Sequence, residues 1–238
     1  MTRARGGPAD DGRARSVEGG PAAGAEAGDA TDSGLHADGA PGAVLVIVSG
    51  PSGVGKDSVI EALRAKPRDP DYHYVVTCTT RPRRSYEVDG VHYRFLSREA
   101  FAALQGAGEL LEANEVHGNW YGTPRAEVRA ALQAGHDVIL KIDVQGAAVV
   151  KHRVDEALLI FLVPPSLEDL FQRLRSRATE SADELDIRQR NATLELARRD
   201  DYDHVIVNET GQIERTAAQI HEIILQEKAR HPTRRTRI

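Results

Sequence analysis

Short apolar runs alternate with amphipathic segments along the chain from about residue 43 onward. Five of these runs are predicted to form buried strands, namely Val44–Ser49, Tyr74–Cys78, Asp137–Ile142, Leu158–Val163 and His204–Val207. Between the runs, apolar residues recur with the helical period of about 3.6 residues, most clearly in segments 56–65 and 167–177 and on the Ile213, Ala217, Ile220 and Ile224 face of a last helix. Strands that alternate with helices predict an α/β fold with a central, mainly parallel sheet.

The segment from about residue 81 to 121 breaks this alternation. It holds short alternating pieces, Val91–Phe95 and Trp120–Tyr121, around a helical pattern near Arg98–Gln105. We interpret it as a small subdomain inserted into the fold rather than a continuation of the sheet. A second insertion, polar and near Arg177–Ala182, lies between two helices. Because many transfer reactions must exclude water, inserted segments of this kind are candidate lids.

The two ends of the chain differ from the middle in composition. Residues 1–42 are rich in Gly, Ala, Asp and Pro with almost no large apolar side chain, so we predict a disordered low-complexity tail. This tail lacks the apolar stretch of a secretory signal, and its acidic residues argue against a transit peptide. The last residues, 229–238, belong to a basic run that predicts a solvated tail.

Composition narrows the possible partners and the location. The net charge is −5, which argues against a general nucleic-acid-binding protein. Cys78 is the only cysteine, so neither an internal disulfide nor a cysteine metal site is expected. No apolar stretch approaches the ~20 residues that span a bilayer. We expect a soluble cytoplasmic protein, monomeric or a small homo-oligomer, that binds neither nucleic acid nor membranes.

The most specific motif follows the first predicted strand. Residues 50–56 read Gly-Pro-Ser-Gly-Val-Gly-Lys and precede a helical pattern, which is the context of a phosphate-binding loop. Closely spaced glycines let backbone N–H groups curl around a polyphosphate, and the helix N-terminus adds partial positive charge. Lys56 is predicted to reach the β- and γ-phosphates. The predicted ATP-binding residues of this segment are Gly50, Pro51, Ser52, Gly53, Val54, Gly55, Lys56, Asp57 and Ser58.

Motifs beyond this loop resemble those of guanylate kinases. They follow that family's order and spacing from about residue 44 to 225, as Thr79–Arg84, Glu87–Gly90, Tyr93, Glu112, Gly118–Thr123, Asp143–Gly146, Pro164–Ser166 and Ile206–Asn208. The resemblance implies a P-loop kinase of purine nucleotide metabolism that uses ATP and Mg²⁺ to phosphorylate GMP to GDP, with dGMP as a further acceptor. It also implies a guanylate-kinase-like domain at 43–228, with a core at 43–80 and 124–228, a GMP-binding subdomain at about 81–123 and a lid at about 174–187.

The resemblance assigns the acceptor site to the inserted subdomain. Guanine presents two adjacent donors, N1–H and the N2 amino group, and Glu112 matches the carboxylate that accepts both. Adenine lacks this donor pair, so AMP would leave a buried Glu112 unsatisfied, and discrimination of this kind reaches about 10⁴-fold. The phosphate is a dianion suited to bidentate arginines. The implied GMP-binding residues are Thr77, Arg81, Arg84, Tyr93, Glu112, Tyr121, Thr123 and Asp143.

Charge stabilisation dominates phosphoryl transfer, so cations around the transferred group are the expected catalytic residues. By resemblance, arginines of the lid close onto the ATP phosphates, whereas Arg175 matches no family position and is expected on a solvated helix face. Asn208 matches a residue near the adenine of ATP. No general base is required, because the GMP phosphate is already a nucleophile at neutral pH. The implied catalytic residues are Lys56, Arg81, Arg173, Arg177 and Arg188.

Two positions depart from the family's pattern, and both are expected near the metal. Asp57 stands where a Ser or Thr hydroxyl usually binds magnesium, and Lys141 stands where an acidic residue is usual, whereas Asp143 is retained. Because the changes are opposite in charge, we predict that Asp57 pairs with Lys141, or that Asp57 contacts magnesium through water while Lys141 balances it. In a third interpretation, the Lys141 side chain points away from the site and the metal is bound mainly by ATP and water. Asp57 and Asp143 are the candidate metal ligands.

Two other functions fit parts of the sequence. The Lys56-Asp57-Ser58 sequence also resembles ribose 1,5-bisphosphate phosphokinases, although a sugar bisphosphate gives no reason for Glu112 or the Thr79–Arg84 segment. The other alternative is a guanylate-kinase-like binding module without catalysis, although such modules typically lose the phosphate-binding loop that is present here. Turnover of ATP with parallel acceptors distinguishes the three functions.

Overall fold

The computed structural model describes residues 38–116, 118–176 and 182–238. Most of the predicted N-terminal tail lies outside these residues, and so does Arg177 of the predicted lid. The lid at about 174–187 therefore stays a prediction.

The elements alternate along the chain much as the hydrophobic pattern predicts. In the described residues they run in the order β1 (Leu45–Ser49), α1 (Lys56–Ala65), β2 (Tyr72–Tyr74), β3 (Cys78–Thr79), β4 (Arg94–Phe95), α2 (Arg98–Gly106), β5 (Leu110–Val116), β6 (Asn119–Pro124), α3 (Arg125–Gln133), β7 (Asp137–Lys141), α4 (Val144–Arg153), β8 (Leu158–Val163), α5 (Leu167–Ser176), α6 (Ala182–Leu196), β9 (His204–Val207) and α7 (Ile213–Arg230).

A five-stranded parallel sheet forms the centre of the fold, which confirms the predicted fold class. Its strand order is β2-β7-β1-β8-β9, and every neighbouring pair is parallel. Strand β1 is buried along its whole length, as is typical of a parallel strand covered on both faces. Val46 and Val48 of β1 pack into one apolar cluster with helices α1 and α7, whereas Leu45 and Ile47 pack into another with α3 and α4.

This arrangement collects several predicted site residues at one edge of the sheet. Parallel strands end at the same edge, and ligands of such sheets bind there. The phosphate-binding loop follows β1, residues 141–143 close β7, and Asn208 follows β9. The core therefore presents three predicted site segments side by side.

One predicted strand divides between two sheets. The run Tyr74–Cys78 was expected to be a single strand, but β2 ends at Tyr74 and β3 begins at Cys78 in a second sheet. Val75 still donates its N–H to the carbonyl of Ile139, at 3.4 Å, before the chain leaves the central sheet. Val75 and Cys78 are both buried, on either side of the crossing, so the apolar run carries no signal for it.

The second sheet contains the segment that breaks the alternating pattern. Its order is β4-β3-β6-β5, with β5 and β6 forming an antiparallel hairpin. Its own small core contains Cys78, Phe101 and Leu110. The sheet begins before the predicted bounds of 81–123 and ends one residue after them, and α3 returns the chain to the central sheet.

The basic C-terminal run is not the solvated tail that its composition predicts. Gly39 donates its N–H to the carbonyl of Thr236 and Gly42 donates to that of Arg234, both at 2.9 Å. Thr236 and Ile238 are buried, so this segment packs against the fold. The basic composition of the run gave no sign of this packing. Residues 39–42, which were assigned to the disordered tail, take part in this packing.

No helix within the described ranges has the length and apolar character needed to cross a membrane.

Candidate active site

The loop after β1 turns so tightly that glycine is needed at both of its ends. Gly50 has a φ of 142°, and a Cβ there would lie 2.4 Å from the carbonyl oxygen of Leu162. Gly55 has a φ of 102°, and a Cβ there would lie 2.6 Å from Nδ2 of Asn208. Left-handed backbone and close approach are what glycine permits. The loop thus leads directly into the N-terminus of α1, where a polyphosphate is favoured.

Lys56 begins α1 and folds back over the loop. Its Nζ donates to the carbonyl oxygens of Gly50 at 2.6 Å and Pro51 at 3.2 Å. Burial lowers the pKa of this ammonium, while nearby carboxylates, Glu195 first among them, act in the opposite direction. A desolvated cation held by neutral carbonyls gains from a bound anion, so Lys56 is suited to a phosphate.

Glu195 of α6 is a site residue that the sequence did not predict. Its Oε2 accepts the backbone N–H of Ser52, inside the loop, at 3.0 Å, and its exposed fraction is only 9%. A carboxylate therefore already binds one of the N–H groups that suit the loop to anions. Glu195 and Ser52 are 143 residues apart, so no local pattern marks the contact.

Asn208 and Arg173 hold the backbone of the loop. Nδ2 of Asn208 donates to the carbonyl of Val54 at 2.8 Å, while its Oδ1 accepts from the hydroxyl of Thr216 at 3.1 Å. Arg173 donates to the same Val54 carbonyl at 3.1 Å and to the hydroxyl of Thr210 at 2.8 Å. Both predicted ATP-site residues thus lie beside the loop and support its shape.

The remaining arginines of the predicted lid are placed unequally. Arg188 is half-buried on α6, whereas Arg177 lies outside the described residues. Arg175 is exposed and pairs with Glu168 at 2.7 Å, which confirms its predicted place on a solvated helix face. Arg173 contacts the phosphate-binding loop directly, through the carbonyl of Val54.

Glu112 of β5 is a buried carboxylate in the second sheet, with an exposed fraction of 2%. Its Oε1 accepts the hydroxyl of Thr123 at 2.6 Å, and its Oε2 accepts Nδ2 of Asn114 at 2.7 Å. Burial raises the pKa of the carboxyl to about 7, although both hydrogen bonds act to lower it. The group therefore changes charge near neutral pH. Asn114 was not predicted, because a polar residue in a half-exposed hairpin carries no distinctive signal.

Helix α4 begins against this carboxylate. Oδ1 of Asp143 accepts the N–H of Gly146 at 2.9 Å and so caps the helix. A Cβ at Gly146 would lie 2.9 Å from Oε2 of Glu112, so a larger residue there would displace the carboxylate. Thr77 directly precedes β3, where Cys78 pairs with Gly122, the neighbour of Thr123, and both threonines are buried. The predicted base-site residues are thus brought together where the second sheet meets α4.

Arg81 is fixed by the buried carboxylate of Glu87. Its NH2 and NH1 groups donate to Oε1 at 2.7 Å and Oε2 at 3.1 Å, forming a bidentate pair. Oε2 of Glu87 also accepts the backbone N–H of Arg84 at 2.7 Å, and the exposed fraction of Glu87 is 3%. The Arg84 guanidinium remains exposed, with a hydrogen bond to Tyr86 at 3.1 Å. Glu87 belonged to the resembling motif, but its support of both arginines was not predicted.

Tyr93 lies between cations from both sheets. Its ring meets that of Tyr121 edge-on, with centroids 6.0 Å apart. The guanidinium carbon of Arg81 lies 5.6 Å from the Tyr93 centroid, and Nζ of Lys141 lies 4.7 Å from it. Lys141 also forms an ion pair with Asp57. The predicted contact between Asp57 and Lys141 is confirmed, and the interpretation that turned Lys141 away is wrong.

The part of the chain that the structure describes contains no group of three or more His, Cys, Asp and Glu side chains arranged to hold a metal ion. Asp57 and Asp143 nevertheless both act electrostatically on Lys56, so two carboxylates are available around the loop's lysine. A nucleotide-bound metal needs no more protein ligands than this.

Comparison with known proteins agrees with this geometry. The family model described as guanylate kinase matches residues 43–227. The guanylate kinase of Symbiobacterium thermophilum is 44% identical over 80% of this chain and 88% of its own length, and that of Desulfitobacterium hafniense is 43% identical over 79% and 92%. The crystal structure of guanylate kinase from Anaplasma phagocytophilum has a TM-score of 0.62 at 33% identity, covering 79% of this chain and 87% of that one. The chain belongs to the guanylate kinase family.

Proposed function

We propose that the protein transfers the γ-phosphoryl group of ATP to GMP, giving ADP and GDP, and accepts dGMP in the same way. The observation that carries the proposal is Glu112, a buried carboxylate whose two oxygens both face hydrogen-bond donors. A buried double acceptor matches the paired N–H donors of guanine and mismatches adenine. Family membership and the phosphate-binding loop support the same reaction.

In this proposal, one set of residues binds the guanine base of GMP and another set binds its phosphate. Guanine donates N1–H and N2–H to Glu112, with the hydroxyls of Thr77 and Thr123 beside the base and Asp143 at the start of α4. The dianionic phosphate lies between the Arg81 and Arg84 guanidinium groups, because bidentate cations match its oxygens. The hydroxyls of the paired tyrosines donate to the same phosphate, and these are Tyr93 and Tyr121.

The donor lies on the phosphate-binding loop. The N–H groups of residues 50–58 and the N-terminus of α1 bind the ATP phosphates, with Asn208 near the adenine. An acceptor phosphate oxygen attacks the γ-phosphorus while its bond to the bridging oxygen breaks, so negative charge passes to ADP. Lys56 holds the transferred group, and Arg173, Arg177 and Arg188 stabilise the developing charge. No proton has to be removed from the nucleophile.

Magnesium fits this site in the form it usually takes with nucleotides. Asp57 and Asp143 would hold it directly or through water, while ATP oxygens and waters supply the other ligands. Both carboxylates act electrostatically on Lys56, which supports this assignment. When bound, the ion neutralises charge on the β- and γ-phosphates.

The experiment that tests the function is steady-state ADP production from Mg-ATP with parallel acceptors. GMP, dGMP, AMP, UMP, dTMP and ribose 1,5-bisphosphate are each supplied to the full chain. We expect turnover with GMP and dGMP and little with the other acceptors. Turnover confined to ribose 1,5-bisphosphate would instead identify a sugar-phosphate kinase, and no turnover with any acceptor would identify a binding module.

Replacing Glu87 with glutamine is expected to weaken GMP binding about tenfold. The Glu87 carboxylate aligns the Arg81 guanidinium and also accepts the backbone N–H of Arg84. An amide loses one acceptor oxygen and presents N–H groups to a guanidinium. Isothermal titration of GMP and guanosine measures the effect, and only GMP should weaken. The matched control is Glu99→Gln, which makes the same change at an exposed position on helix α2. Unchanged or tighter GMP binding would show that Glu87 only competes with the phosphate for Arg81.

A further inference from the structure

Lys141 is a cation at the junction of the two predicted substrate sites. It closes β7, pairs with Asp57 at the start of α1, and lies 4.7 Å from the ring centroid of Tyr93 in the second sheet. Burial would lower the pKa of the Lys141 ammonium, but Tyr93 and Asp57 together keep that pKa above its usual value. The side chain is 19% exposed, so it is largely withdrawn from water. One ammonium thus contacts a residue assigned to ATP, Asp57, and a residue assigned to GMP, Tyr93.

The ion pair alone gives little reason for this placement. The Asp57 side chain is 51% exposed, and pairs with such a solvated partner contribute little to stability. Burying an ammonium is unfavourable, and two further cations share the surroundings of Lys141. Lys141 acts electrostatically on Lys56, and it shares the Tyr93 ring with Arg81. Each of these cations already has a carboxylate nearby, but cations from several elements that face one site still attract a polyanion.

We propose that Lys141 is an additional phosphate-binding residue, which donates to the phosphate of GMP at the point where the transferred group arrives. This inference rests on the proposed function. An ammonium has three donors, and Asp57 uses one of them, so donors remain for the phosphate without breaking that contact. Asp57 is the counter-ion that orients Lys141. Tyr93 places it beside Arg81, which is assigned to the same phosphate.

The test is isothermal titration of the full chain with GMP and with guanosine, in EDTA and without ATP. Guanosine keeps the base and lacks the phosphate, so the ratio of the two affinities isolates phosphate contacts. Lys141→Met is expected to weaken GMP binding about 10- to 100-fold, the range of one charge-assisted hydrogen bond, and to leave guanosine binding within about twofold. Lys151→Met is the matched control, since Lys151 donates to backbone carbonyls at the far end of α4.

Asp57→Asn separates phosphate binding from simple charge balance. If Lys141 binds phosphate, this variant keeps GMP affinity at or above that of the parent, because asparagine retains an acceptor oxygen that orients the ammonium and removes only the competing negative charge. GMP binding by Lys141→Met equal to the parent's would overturn the proposal. So would equal losses for GMP and guanosine, or a loss in Asp57→Asn as large as in Lys141→Met. A parent chain that bound GMP no better than AMP would instead refute the proposed function itself.

Discussion

Replacing Glu112 with glutamine is expected to lower kcat/KM for GMP by about 100- to 1,000-fold while the chain still folds. The parent carboxylate offers an acceptor to each of the two adjacent guanine donors. Glutamine offers one acceptor and one NH₂ group, so one guanine donor would face another donor in a buried pocket. Steady-state ADP production with GMP and AMP measures the change. The preference for GMP should collapse because the GMP rate falls and the AMP rate does not.

The matched control is Glu115→Gln, three residues further along the same strand on an exposed position. It removes the same charge from the hairpin without touching the buried pocket, so its kinetics should stay near those of the parent. Equal kinetics for Glu112→Gln and the parent would show that the base is bound elsewhere. A loss of secondary structure in Glu112→Gln alone would show a structural role, which circular dichroism detects.

The raised pKa of Glu112, about 7 in the free protein, makes guanine binding depend on pH. Only the ionised carboxylate accepts both donors, so the guanosine dissociation constant should be constant above about pH 8 and approach a tenfold rise per unit below about pH 6. Guanosine is the appropriate probe, because the phosphate of GMP titrates in the same range. The slope should disappear in Glu112→Gln, and a slope that persisted would belong to another group.

The same pKa shift has a measurable effect on stability. The folded-state pKa is raised from 4.5, so the folded chain holds the Glu112 proton more tightly and loses stability as pH rises from about 4.5 to about 7. A shift of this size lowers the free energy of unfolding by about 3 kcal/mol at a pH where Glu112 is ionised in both the folded and the unfolded chain. Glutamine has no proton to lose, so Glu112→Gln should gain on the parent across this range in urea unfolding. Parallel stability profiles for the two proteins would contradict the shift.

The parts of the site that could be predicted are those determined by a contiguous sequence motif or by the charges of the residues. The loop at 50–56 is contiguous, and its glycines, lysine and flanking elements constrain one another, so its place between β1 and α1 could be predicted. The pairing of Asp57 with Lys141 was predicted from opposite charges at neighbouring strand ends, and their contact confirms it. In both cases the geometry follows from short segments attached to a predictable parallel sheet.

The residues that the sequence missed act through tertiary contacts. Three such residues each form a hydrogen bond with a predicted site residue, namely Glu195, Asn114 and Glu87. No sequence pattern around them indicates which residue they contact. The C-terminal run was misjudged for a related reason, since its charge suggested solvation while Ile238 is buried. Asn208 illustrates an intermediate case. Its position at the end of β9 was predictable, but its hydrogen bond to the Val54 carbonyl depends on the packed loop.

Replacing Lys56 with methionine is expected to reduce kcat by at least about 10²- to 10³-fold, the effect of removing one preorganised charge from a transfer site. Methionine keeps much of the length of the side chain but removes the ammonium that now bridges the Gly50 and Pro51 carbonyls. GMP affinity should stay within about twofold, because Lys56 is not among the residues assigned to GMP. Single-turnover kinetics with saturating GMP, together with GMP titration, separate the chemical step from binding.

Lys66→Met provides the control at the opposite end of α1. Its side chain is 60% exposed and pairs with Glu214 at 2.5 Å, a solvated contact of small energetic value, so turnover should be close to that of the parent. If Lys56→Met lost GMP affinity in parallel with kcat, the lysine would be maintaining the cleft rather than holding the transferred group. If both lysine variants kept the parent's kcat, the phosphate-binding loop would not be the donor site, and the charge stabilisation assigned to Lys56 would have to come from other cations at this edge of the sheet.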